Sequence, residues 1–112
     1  ARAQVVSAVN HGLSGALSEE VVFGEDGKFR NASLTDYKVF TYQDAKDIEM
    51  QVHFIETPLP DGQIGCRPIA EHPIVAVAPA LANALADAVG VEFYDLPLSA
   101  QRILAKLKEE GD

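Results

Sequence analysis

The stretch RAQVVSAVNHGLSGAL, from Arg2 to Leu17, governs the reading of the whole chain. Its apolar residues Val5, Val6, Val9, Leu13, Ala16 and Leu17 recur at spacings of three and four, the period of an α-helix. Between Gln4 and Ser18 there is no Asp, Glu, Lys or Arg, so this helix lacks a charged face and is expected to be buried on most sides. Gly12 and Gly15 each weaken an isolated helix by about 1 kcal/mol relative to Ala, which points to another backbone packed close to them. The helix starts at Ala1-Arg2-Ala3 with no Met and no capping residue, the expectation for a piece of a longer polypeptide.

Outward from this helix, Glu19 to Phe23 turns β-like, and Gly24-Glu25-Asp26-Gly27 is a turn leading to Lys28 and Phe29, so a short hairpin is expected. Asn31 to Asp47 is polar and irregular, anchored by Tyr37, Phe40 and Tyr42. Ile48, Met50, Val52 and Phe54 then alternate with Glu49, Gln51 and His53, the clearest strand signal in the chain. Pro58 to Pro73 holds six Gly or Pro in sixteen residues and must be a loop. A helix follows with Pro79 in its first turn and Gly90 just past its end. Val91 to Tyr94 reads as a short strand, and Ser99 caps a last helix that turns Ile103, Leu104 and Leu107 inward. The order helix, hairpin, strand, helix, strand, helix predicts an α+β or mixed α/β fold, a small mixed sheet packed with about three helices.

The 112 residues fit one domain, or part of one, and a 47% apolar composition supplies one core. Seventeen acidic against nine basic residues give a net charge of −8, which argues against a nucleic-acid partner. A single cysteine, Cys66, precludes an intrachain disulfide and makes a reducing compartment such as the cytoplasm the expectation. The most apolar stretch, Pro73 to Val91, carries Pro79, Asn83 and Asp87 and reads as a buried helix rather than a membrane span.

Chemistry is best sought in the Gly/Pro-rich loop, which gathers Cys66, Arg67, Glu71 and His72 just ahead of an apolar helix. His11, His53, His72 and Cys66 lack the paired spacings of a zinc site, so no protein-ligated metal is expected. The Gly24 to Gly27 turn lacks the spacer and following Lys of a phosphate-binding loop. Cys66 beside an imidazole leaves a small thiol-dependent enzyme as one further reading.

Five stretches in register carry a resemblance: Gln4 through Glu20, Asn31 with Asp36-Tyr37, Gly65 through Pro73, Ala80 to Gly90, and Leu96-Pro97-Leu98. Together they resemble the C-terminal part of the molybdopterin-binding subunit of the xanthine dehydrogenase and aldehyde oxidase family, over nearly all of residues 1–112. That family's loop usually reads Gly-Ala-Lys-Gly-Val-Gly-Glu-Pro-Pro, where this chain has Gly65-Cys66-Arg67-Pro68-Ile69-Ala70-Glu71-His72-Pro73.

The resemblance implies that Glu71 is the general base of an oxidative hydroxylation of an aldehyde or N-heterocycle, with oxygen drawn from water. It further implies that Gln4, Gly65, Cys66 and Arg67 contact a molybdopterin cofactor in the full-length parent, whose metal is held by a dithiolene rather than by side chains. The implied partners are the remainder of the subunit, iron–sulfur and FAD subunits or domains, and a small-molecule substrate. Neither nucleic acid nor membrane is expected. Pro68 and Ala70 stand where the family has glycines, a departure that matters if the backbone there needs positive φ or close approach to the cofactor. The competing expectation is a non-catalytic binding or assembly module that keeps the fold with a drifted cofactor loop.

Overall fold

The computed structural model describes residues 1–61, 63–65 and 67–111. It contains α1 (Arg2–Leu17), α2 (Tyr42–Ala45), a 3-10 turn at Gln63–Gly65, α3 (His72–Val75), α4 (Val77–Val89) and α5 (Ala100–Glu110). α1 packs on both α3 and α4. The buried positions of α1 are Ala8, Gly12, Ser14 and Ala16, and three of them, Ala8, Gly12 and Ala16, form one ridge at i, i+4, i+8. Because nothing on that ridge projects beyond a Cβ, the facing helix can approach closely.

The mixed-sheet expectation is overturned: among the described residues there is no strand, only an isolated antiparallel bridge between Phe23 and Phe29. Residues 48–54 are not paired into a ladder, and residues 91–94 form no strand. Period-two alternation specifies a chain with two faces but supplies no neighbour, and a strand exists only when another edge satisfies its backbone groups. The one tie recorded for residues 48–54 to α1 is the Arg2 guanidinium donating to the Met50 carbonyl at 3.2 Å.

The helix boundaries follow their local chemistry. Gly90 ends α4 in the left-handed region at φ 73°, with its N–H on the Ala86 carbonyl. Ser99 caps α5 by accepting from the Arg102 N–H. α2 lies in a stretch read as irregular, and a capping box nucleates it: the Asp44 carboxylate takes both the Thr41 N–H at 2.7 Å and the Thr41 hydroxyl at 2.6 Å. Tyr42 is 85% exposed and anchors nothing, and Leu104 is 55% exposed despite its apolar neighbours.

These elements do not close into a compact body. The radius of gyration is 17.7 Å, against roughly 13 Å for a compact domain of this length. The surface is 8790 Å², whereas a folded monomer of this mass exposes about 6,000 Å². Only Val77 is buried in α4, so the expectation of a buried helix there is not met within these residues. By length and composition the helical run His72–Val89, with mean hydropathy 1.3, is long and apolar enough to cross a membrane, and the core helix of a soluble protein passes the same test.

Candidate functional site

The site is built where α1 meets the chain running from the Gly/Pro-rich loop into α3 and α4. At Gly12 the Val77 side chain fills the space a Cβ would occupy. Ala1 lines a cleft together with Gly65 and Arg67, so the start of α1 lies beside the loop. The two chains therefore run side by side in the same direction, from Ala1 and Arg67 at one end to Gly12 and Val77 at the other. Gln4 lies two turns before Gly12 and Glu71 six residues before Val77, roughly 12 and 9 Å back at 1.5 Å per residue. Along their own chains, both residues lie on the loop side of the Gly12–Val77 contact. Gln4 extends the ridge of Ala8, Gly12 and Ala16 to its exposed terminus, and Glu71 is the exposed N-cap residue of α3.

Two clefts adjoin this end. One, about 520 Å³, is lined by Ile55, Leu59, Arg67, Pro68, Ile69 and His72. The other, about 700 Å³, has Ala1, Phe54, Ile55, Pro58, Gly65 and Arg67 among its walls, with Glu56 as its acid. Ile55 and Arg67 belong to both. Arg67 makes no hydrogen bond or ion pair with the described residues, so its guanidinium is available to an anionic ligand. The left-handed backbone falls at Ile64 (φ 54°) and Gly65 (φ 68°). Neither Pro68 nor Ala70 has positive φ, so backbone conformation does not call for glycine at those two positions. A Cβ on Gly65 would meet nothing within 4 Å, which leaves space there for a ligand's approach.

Gly65 and Arg67 line one of these clefts together, Gln4 and Glu71 are not among the lining residues of either, and Cys66 lies outside the described residues. His72 and the apolar walls Ile55, Leu59 and Ile69 join Arg67 in the other; the density of Gly and Pro in that stretch was the signal that a surface would be shaped there. Among the described residues no group of three or more His, Cys, Asp or Glu is arranged to hold a metal ion. A separate groove of about 620 Å³ between residues 92–98 and α5 has its main polar groups engaged already. Tyr94 donates to Glu92, Arg102 to Glu20 and the Leu96 carbonyl, and Lys106 to Glu110. The Tyr94 and Tyr37 phenols are both held above the ordinary range by the carboxylates they donate to, Glu92 and Glu19.

Residues 1–46 match the family of molybdopterin cofactor-binding domains. Over 99% of its length the chain is 36% identical to a xanthine dehydrogenase molybdenum-binding subunit of Escherichia coli O157:H7, covering 15% of that protein. It is 29% identical, over 97% of its length and 15% of the relative's, to an aldehyde oxidoreductase molybdenum-binding subunit of Escherichia coli K12. In fold it is similar to quinoline 2-oxidoreductase from Pseudomonas putida 86, with a TM-score of 0.86 over 96% of this chain and 14% of that one at 22% identity. The chain therefore spans about one seventh of the length of the proteins it matches.

Proposed function

We propose that this chain, a segment of the molybdenum-binding subunit type found in xanthine dehydrogenase and aldehyde oxidoreductase, supplies a larger molybdenum hydroxylase with its general base, Glu71, and a cofactor-facing amide, Gln4. The observation that supports this reading is that Ala1, which begins the helix carrying Gln4, and His72, next to Glu71, line clefts of about 700 and 520 Å³ that share Arg67. Those volumes fall in the range of small-molecule sites, roughly 300 to 1,000 Å³.

The residues present fit the cofactor. Gln4 offers an amide that donates and accepts, Gly65 leaves room for close approach, and Arg67 carries a positive charge with no ion-pair partner among the described residues. Bound there, molybdopterin supplies the two-electron redox step. Ile55, Leu59 and Ile69 give the flat body of an aldehyde or N-heterocycle an apolar wall and exclude water from one side of it. Glu71 takes up the proton released as a water-derived oxygen is delivered to the substrate carbon, and passes that proton to solvent from its exposed position. The remainder of the subunit encloses the clefts, and iron–sulfur and FAD partners carry the electrons away.

In the intact, cofactor-loaded subunit, Glu71→Gln is expected to lower kcat by about 10²- to 10⁴-fold at unchanged molybdenum content. Full turnover in that variant would remove Glu71 from the chemistry and leave a binding or assembly role. Gln4→Ala is expected to lower the molybdenum content of the purified subunit, read by elemental analysis.

A further inference from the structure

The contact between Gly12 and Val77 does more than join two helices. A Cβ on Gly12 would lie 2.6 Å from the Val77 Cβ and 2.7 and 3.1 Å from its two methyl carbons. The nearest atom is the root of the Val77 side chain, so no rotamer change relieves the overlap. Ordinary contact begins at 3.4 Å, and the helices would have to part by about 0.8 Å.

From this geometry we infer that Gly12 is a positioning residue: by admitting Val77 it sets the spacing between α1, which carries Gln4, and the α3–α4 segment, which carries Glu71. The inference rests on the reading of Glu71 as base and Gln4 as cofactor contact. Its physical basis is leverage. Glu71 and Gln4 sit roughly 9 and 12 Å from the crossing on two elements running in the same direction, so a separation or tilt imposed there is transmitted along both. The chain from Glu71 to Val77 carries right-handed helical backbone at Glu71 and again at Ala76, so it passes the displacement on rather than absorbing it. Val77 is the buried residue of α4. Gly15, on the same helix, has nothing within 4 Å of an added Cβ, so of the two glycines of α1 only Gly12 takes a close neighbour.

The test is made in the intact, cofactor-loaded subunit. Gly12→Ala is expected to lower kcat by about 10²-fold, the usual consequence of misplacing reacting groups by an ångström. Its KM should stay within about threefold, and its molybdenum content should match the parent's. The paired variant Gly12→Ala/Val77→Gly, which moves the side chain from one helix to the other, should restore kcat to within about threefold. Leu98→Ala, a cavity in the buried residue beyond the far end of α1, should lower Tm while leaving kcat in place. A Gly12→Ala subunit with parental kcat overturns the inference. So does a loss of kcat that the paired variant fails to rescue, or one that Leu98→Ala reproduces at equal Tm. Should Gly12→Ala alone not fold, the paired variant decides by itself, a 10²-fold loss counting against. If Glu71→Gln abolishes turnover while Gly12→Ala does not, only the positioning role fails; if Glu71→Gln retains turnover, the reading beneath it fails first.

Discussion

Ser14 is 1% exposed, yet it carries a hydroxyl, and that hydroxyl accepts the Phe40 N–H at 2.8 Å. Its location among apolar neighbours is explained by that one donor, which fastens the irregular segment after the hairpin to α1. Ser14→Ala leaves the amide without an acceptor and is expected to cost about 1 to 3 kcal/mol, read from the shift of a denaturation midpoint. Asn31 plays the matching role at the base of the hairpin. Its side chain accepts from the Val22 N–H at 2.9 Å and donates to the Glu20 carbonyl at 2.6 Å. With a single backbone bridge between Phe23 and Phe29, this side chain substitutes for the ladder the hairpin lacks. Asn31→Ala should therefore loosen the stacked rings of Phe23 and Phe29, whose centroids lie 5.7 Å apart, and the ring-current shifts of their protons should collapse.

Among the elements, α1, α4 and α5 were legible and the pairing of strands was not, for a physical reason. Helical hydrogen bonds close within four residues, so the spacing of Val5 to Leu17, the Pro79 and Gly90 bracket and the Ser99 cap each carry their own answer. The alternation from Ile48 to Phe54 carries only half of one, since pairing depends on residues elsewhere. At the site, the loop residues were legible as a group, whereas the meeting of Gly12 with Val77 joins positions 65 apart and leaves no local trace beyond a glycine in a helix. α2 had a signal of its own in Thr41 and Asp44. The Asp44 carboxyl is held below its ordinary value of 3.8, first by the Thr41 hydroxyl and then by the Thr41 N–H. A depressed carboxylate stabilises the fold above its unfolded value and loses that contribution as the pH falls through the lower folded one. The Thr41 amide resonance should accordingly move only below about pH 4, and Asp44→Asn should abolish the transition.

At the scale of the molecule, the excess of exposed surface is the dominant fact. Val75, Ile55 and Phe23 stand 78, 92 and 64% exposed on a chain whose folded surface exceeds that of a compact protein of its mass by nearly half. Isolated, the 112-residue chain is expected to self-associate, with a sedimentation coefficient that rises with concentration; a single monomeric boundary up to the highest concentrations would contradict this. Its two ends are nevertheless stitched together. The Leu98 N–H donates to the Ala16 carbonyl at 2.6 Å, and Arg102 reaches Glu20 across 82 residues of sequence. The tie between Phe40 and the hidden hydroxyl of Ser14 has a kinetic consequence. That amide can trade its proton for deuterium only when the segment after the hairpin lifts from α1, so the rate at which one signal fades in heavy water is a clock for that opening.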